Sequence, residues 1–250
     1  MDIEKYIARQ DFNAITRSLH SFRYRSVLSI VGELSHLISD RPLRVLEIGC
    51  AHAKVFPLLA QRFSIEYFGI ELQPDRAEYG RRTYGDQPNF AIVQGSAIEY
   101  HLYDDFAPDI VLALEVLEHI PEREVVRLVE HLATLRTVRF FVFSVPVEVG
   151  PALVIKNVGS FLMGYMRHRE YTWRETFWAG CYRLDKLPPH GVRHKGFDWR
   201  WLAQTVRQNM AIREIRKSPV AFVPGWLAPS VLFVAGPRPA GSPELSPAMA

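Results

Sequence analysis

The chain is 250 residues long, 48% hydrophobic, and carries a formal net charge of +3. That length allows one substantial core, and so small a net charge excludes a nucleic-acid-type polycation. Two cysteines, Cys50 and Cys181, exclude a disulfide framework and a four-cysteine zinc site, and no apolar run reaches the roughly 18–20 residues of a membrane span.

The start, Met1-Asp2-Ile3-Glu4-Lys5, is polar and unlike a secretory signal, so the sequence reads as cytoplasmic. Residues 1–40 read as a helical cap: Ile15, Leu19, Tyr24, Val27, Leu28, Val31, Leu34 and Leu37 recur at helical spacing. From 43 onward strands and helices alternate. Strands are expected at 44–48, 65–71, 90–94, 109–114 and 139–145, with helices at 54–62, 74–84 and from Pro121 to Leu135. The run Asp109-Ile110-Val111-Leu112-Ala113-Leu114 is nearly all apolar, as a central parallel strand is. Pro121 is expected in the first turn of its helix. This βαβ rhythm predicts a doubly wound, mostly parallel sheet.

After Pro146 the rhythm breaks. Ala152–Tyr165 reads as an amphipathic helix, and Asp198 as the N-cap of a helix over 199–208. Ile212–Val223 and Ser230–Ala235 read as two closing strands, which makes seven. Gly236–Ala250, rich in Pro, Gly and Ser, reads as a disordered tail, leaving 1–235 as a single domain. Charge is uneven: Lys156 to Lys217 holds 13 Lys and Arg against 5 Asp and Glu, a local balance of 13 − 5 = +8.

Chemistry concentrates at Arg44–Lys54. A short apolar strand runs into a turn of small residues, Gly49-Cys50-Ala51-His52-Ala53, and then into a helix whose first N–H groups lack intrahelical partners. That pattern holds a nucleotide-like cofactor against the backbone at the edge of an α/β sheet. A dinucleotide fingerprint would need glycine at position 54, where Lys54 stands. Glu71 follows Gly49 by 22 residues, at the end of the second strand, where a carboxylate accepts hydrogen bonds from both ribose hydroxyls.

Four landmarks in register resemble the class I S-adenosylmethionine-dependent methyltransferases: Val45–Ala53, Phe68-Gly69-Ile70-Glu71, Gln94-Gly95-Ser96-Ala97, and Phe106–Val111 running on to Glu115-Val116-Leu117-Glu118-His119-Ile120-Pro121. The last is similar to the subgroup that includes ubiquinone-biosynthesis O-methyltransferases. The resemblance covers residues 20–145 and implies a Rossmann-like α/β fold, S-adenosylmethionine as cofactor, and direct SN2 transfer to oxygen of a small-molecule or lipid-like acceptor. It implies a cofactor site of Arg23, Glu47, Gly49, Cys50, Ala51, Glu71, Leu72, Gln73, Gly95, Ser96, Ala97, Glu115 and Val116. Within it, Arg23 would grip the cofactor carboxylate bidentately. Glu47 would orient the loop or the cofactor ammonium, or else bond loop N–H groups. His119 stands as the candidate catalytic base.

Departures from the family pattern fall at Ala51 and Ala53, where glycine is usual, and at Ser96, where an acid is usual. Alanine at 51 is tolerable where φ is negative. These departures motivate the alternative of a catalytically silent binding or assembly protein. Glu148 is a second acceptor-side carboxylate, or a solvated loop acid. His190 and His194 have metal-pair spacing, but Pro188, Pro189 and Gly191 break the helix it needs, so no metal site is expected. Residues 148–197, rich in aromatics, Arg and Lys, read as an acceptor-side lid that could also lie on an anionic membrane surface, the inner face of a membrane for a cytoplasmic protein. No RNA-binding motif accompanies them, and no nucleic-acid partner is expected.

Overall fold

A computed structural model describes residues 14–36, 38, 40–162, 170–188, 195–218 and 228–238, without the side chains of 14–22 and 218. Gly236, expected to open the disordered tail, pairs with Ala211 as the last residue of a strand, whereas residues 239–250 of that tail, with His190, His194 and Trp226, lie outside the described residues. So do the first part of the cap, the end of the helix expected to reach Tyr165, and the strand beyond Ser218.

The apolar runs of 43–145 form strands that are buried on both faces at the centre of the sheet and on one face at its edge strand, Phe90–Gln94. β1 (Leu43–Ile48), β2 (Ile65–Glu71), β3 (Phe90–Gln94), β4 (Ile110–Leu114) and β5 (Phe140–Pro146) pair in parallel. β7 (Ser230–Gly236) runs antiparallel to β5, and β6 (Ala211–Ser218) antiparallel to β7. The seven-stranded order is β3-β2-β1-β4-β5-β7-β6. The chain reverses direction across the sheet between β1 and β4, the switch point where such sheets bind ligands beyond their carboxyl ends.

Helices cover both faces. α1 (Ala14–Ser35), α2 (Val55–Ala60) and α3 (Pro74–Tyr84) lie on one side, where Val27, Ile30, Val31 and Leu34 meet Val45, Leu112 and Val142. α4 (Glu122–Thr134) and α7 (Trp199–Asn209) cover the other. The α4 stripe Val125, Leu128, Val129 and Leu132 has helical spacing and buries against Phe141, Phe143 and Phe233. Pro121 is the N-cap, one residue outside α4, because its ψ of 137° is extended. α2 is shorter than expected, closing at Ala60 rather than 62. Asp198 caps α7 as expected, accepting the Arg200 N–H at 2.9 Å.

α5 (Pro151–Leu162) and α6 (Trp173–Gly180) follow β5 and pack on each other, joined by a buried hydrogen bond from Asn157 Nδ2 to Thr176 Oγ1 at 2.9 Å. α6 opens with a capping box, Thr172 and Glu175 each satisfying the other's backbone N–H. Among the described residues no helix is long and apolar enough to cross a membrane.

Candidate active site

The turn after β1 is built by backbone. The Gly49 and Cys50 N–H groups both donate to the Ile70 carbonyl, at 2.8 and 3.1 Å, which ties the turn to the end of β2. Gly49 has φ +66°, and a Cβ there would stand 2.4 Å from Val116 Cγ2, so glycine is required twice over. Ala51 and Ala53 have φ +51° and +58°. The negative φ that would have suited alanine at 51 is not what the chain adopts, because the loop must turn left-handed to reach α2. Both alanines occupy a region in which a Cβ crowds the backbone. The Cys50 thiol faces inward, where a side chain on Gly69 would strike its sulfur, and burial pushes its pKa up. Cys50 therefore borders the site through its backbone side.

Glu47 lies beneath this turn, fully buried, and accepts a hydrogen bond from the Tyr67 hydroxyl. That pairing replaces the expected bond to loop N–H groups: side chains alternate between the two faces of the sheet, and Glu47 of β1 shares a face with Tyr67 of β2. Burial pushes its carboxyl up to about 8, with the Tyr67 hydrogen bond acting the other way and Glu71 adding to the rise.

Glu71 ends β2 as expected. Its two oxygens accept the Ala51 N–H at 2.8 Å and the Gln73 N–H at 2.9 Å. A carboxylate has about four acceptor positions, so this arrangement fixes its orientation and leaves capacity for hydroxyl donors. Leu72 beside it is 63% exposed, an apolar side chain at the mouth suited to a flat ring. The end of β3 is tied in by the Gly95 N–H donating to the Glu71 carbonyl at 3.0 Å. The Ser96 N–H donates to the Glu99 carboxylate at 2.5 Å.

The third wall comes from the end of β4. Glu115 has φ +56°, and its carboxylate meets Arg23 of α1 at 3.2 Å and accepts from Ser230 Oγ at 2.9 Å. Arg23, expected to grip a cofactor carboxylate, pairs with Glu115, itself one of the expected site residues. Glu118 is fully buried, and burial together with the nearby Glu115 raises its pKa. Glu148 is not a solvated loop acid: it is buried, with Lys156 Nζ 3.3 Å away, and it does not line the cavity described next.

All fourteen expected site residues, from Arg23 to His119, line one cavity of about 720 Å³ at the carboxyl ends of β1, β2 and β4. Tyr24, the neighbour of Arg23, lines it as well, and sequence reasoning missed Arg76 and Glu124, which line it too. Arg76 and Glu124 sit in first helical turns, and their inward direction depends on the angle at which α3 and α4 leave the sheet. Among the described residues no group of three His, Cys, Asp or Glu could hold a metal ion.

Residues 45–136 match the family model described as a methyltransferase domain. Matched domain and fold together define the class: residues 45–136 are similar to a methyltransferase domain, and the seven-stranded sheet is the Rossmann-like methyltransferase fold. Among solved structures, the chain is similar to the methyltransferase domain of a bacterial Hen1 (CtHen1), at 14% identity and a TM-score of 0.60, covering 87% of this chain and 99% of that one. It is similar to magnesium protoporphyrin IX methyltransferase of Synechocystis PCC 6803, solved with bound SAH, at 16% identity and TM-score 0.54, covering 90% and 88%. It is also similar to the PH0226 protein of Pyrococcus horikoshii OT3, at 14% identity and TM-score 0.51, covering 86% and 91%. No curated protein sequence matches the chain.

Proposed function

We propose that this protein transfers the methyl group of S-adenosylmethionine to an oxygen of a small-molecule or lipid-like acceptor by direct in-line displacement. The residues fit the cofactor. Gly49 leaves a space that a Cβ would fill, Glu71 has acceptor capacity for a ribose diol, and Leu72 offers an apolar face for the adenine. When bound, the cofactor supplies an electrophilic methyl on a sulfonium. The chain's part is to hold it, orient the acceptor and exclude water.

Glu71 would hold the ribose, Gly95–Ala97 the adenine edge, and the Gly49–Ala51 backbone with Glu115 and Val116 the amino-acid end. Arg23, beside Glu115, would meet the cofactor carboxylate. Ser96 can accept from the adenine amino group without charge assistance. His119 lines the same cavity and would take the acceptor's hydroxyl proton. That placement, in a segment resembling the ubiquinone-biosynthesis O-methyltransferases, supports oxygen as the methylated atom. Residues 148–197 would cover the acceptor. The reading as a silent binding protein is not favoured, because Gly49 and Glu71 are intact and stand at one cavity.

The observation that carries the proposal is Glu71, 4% exposed, held by two backbone N–H groups at the cavity wall. Titration calorimetry is expected to show saturable cofactor binding, weakened about 100-fold in Glu71→Ala, the loss of two charge-assisted hydrogen bonds. No heat from the wild-type protein at millimolar cofactor would overturn it. A labelled-methyl product that is stable at nitrogen or carbon, with none at oxygen, would overturn the choice of atom.

A further inference from the structure

Gly95, Ser96 and Ala97 line the cavity at the end of β3, and each is held by a different partner. The Gly95 N–H donates to the Glu71 carbonyl of β2 at 3.0 Å. The Ser96 N–H donates to the Glu99 carboxylate at 2.5 Å, and the Glu99 N–H returns a bond to the Ser96 carbonyl at 3.0 Å. The Ala97 carbonyl accepts from the Tyr103 hydroxyl at 2.9 Å. The first two partners are a neighbouring strand and the turn itself, whereas the third reaches out of the core. Tyr103 is fully buried, in one cluster with Ala97, Val125, Leu128 and Leu132. Burial pushes its pKa up, so the hydroxyl keeps its proton and stays a donor.

The ring that carries this hydroxyl is braced in turn. Tyr103 follows a 3-10 turn, Tyr100–Leu102, and Leu102 packs on the cavity wall: a Cβ on Gly95 would stand 2.3 Å from Leu102 Cδ1. His131, in the last turn of α4, meets the Tyr103 ring edge-on at 6.1 Å and stacks on Tyr100 at 3.8 Å. Its Nε2 lies 2.7 Å from the Asp104 carboxylate, which joins α4 to the residue after Tyr103. A phenylalanine would fill the same place in the core. The tyrosine oxygen adds one bond, and a buried hydroxyl is costly unless it is partnered. Here the partner is a backbone atom of a cavity-lining residue.

We propose that Tyr103, braced by His131, is a positioning residue for the purine of the cofactor: its hydroxyl sets the Ala97 peptide and, with it, the Gly95–Ala97 edge. The inference rests on the reading of that edge as the adenine wall, and its test uses no turnover. Tyr103 is not among the cavity-lining residues, so it acts through Ala97. Two ligands separate the purine from the rest of the cofactor. S-adenosylhomocysteine and S-inosylhomocysteine share the ribose and the amino-acid end and differ only at C6 and N1 of the purine. The first has an amino group beside a bare ring nitrogen, and the second an oxo group beside an N–H. Titration calorimetry of both ligands on the full chain reads the preference, and the wild-type protein is expected to bind the adenine form at least about tenfold more tightly.

Tyr103→Phe keeps the ring in the core and removes the hydroxyl. It is expected to weaken S-adenosylhomocysteine at least about fivefold and S-inosylhomocysteine less than about twofold, so that the preference narrows. A hydroxyl that serves only the stability of the core would leave the preference unchanged. His131→Ala removes the brace, is expected to narrow the preference in the same direction, and serves if Tyr103→Phe does not fold. A wild-type preference in either folded variant overturns the proposal and leaves the cofactor reading standing, as does equal binding of the two ligands by the wild-type protein. A wild-type protein that binds neither ligand overturns both.

Discussion

At the scale of single residues, the site is held in conformations that its side chains do not favour. Ala51 and Ala53 stand at φ +51° and +58°, a region that favours glycine. The left-handed region costs an L-residue roughly 1–2 kcal/mol, while glycine loses about 0.4–1 kcal/mol through its freer unfolded chain. Ala51→Gly and Ala53→Gly are therefore each expected to stabilise the protein by about 0.5–1 kcal/mol, raising Tm by about 2 °C in a thermal scan. A fall in Tm would show that the loop adopts a different backbone.

Glu47 is the second case. Its carboxyl is raised from an ordinary value of 4.5 to about 8 by burial. The folded state thus holds a proton that the unfolded chain releases. No penalty arises below pH 4.5; stability falls as pH climbs from there through 8. The loss between pH 5 and 8 is expected to be roughly 3 kcal/mol. Glu47→Gln keeps a neutral acceptor for Tyr67 and should remove this slope, so that it is the more stable protein at pH 8 and nearly equal to wild type at pH 5. Urea unfolding of both proteins across that range checks this, and parallel curves would refute it.

At the scale of elements, the cavity depends on two turns that lock together. The turn after β1 presents Gly49 to the turn after β4, where Val116 presses against it, and a Cβ on residue 49 would stand 2.4 and 2.8 Å from the two Val116 methyls. Gly49→Ala is expected to cost at least about 2 kcal/mol, from overpacking and from φ together. Val116→Ala in the same chain should return the overpacking part and leave about 1 kcal/mol of backbone strain. A double-mutant cycle by denaturant unfolding reads the coupling; a coupling near zero would mean that the two turns move independently. The sequence marked the glycine and the valine as site residues but not their contact, which arises because β1 and β4 are neighbours only after the chain crosses over the sheet.

At the scale of the molecule, the amino end of the sheet is tied as firmly as the carboxyl end is open. Both guanidinium nitrogens of Arg41 reach the Asp109 carboxylate at 2.7 Å, and the Arg44 N–H donates to it at 3.0 Å. The Asp109 carbonyl accepts from Arg139 and Phe140 at 2.8 and 3.2 Å, so one residue joins the entry to β1 with β4 and β5. Asp109→Asn removes a buried charge from this junction and is expected to cost roughly 2–3 kcal/mol, lowering Tm by about 6 °C. Cofactor affinity should be unchanged, because Asp109 lies at the far end of β4 from the cavity. Scanning calorimetry with a cofactor titration checks both parts.

The sequence by itself determined the sheet's five parallel strands, the α4 and α7 helices and fourteen of the residues that line the cavity. Each is written in local terms: an apolar run for a doubly covered strand, helical spacing for a one-sided helix, small residues and acids at strand ends. What it could not determine were partnerships across long separations. Glu47 meets Tyr67 and Glu71 meets Ala51 because β1 and β2 pair side by side, and Arg23 meets Glu115 because α1 packs on the sheet beside β4. The φ of Ala51 was likewise undetermined, since a residue's backbone is set by the path its loop must take between a strand and a helix already fixed by packing. Those contacts, and not the residue types, decided which carboxylates are engaged within the protein and which still have acceptor positions for a ligand.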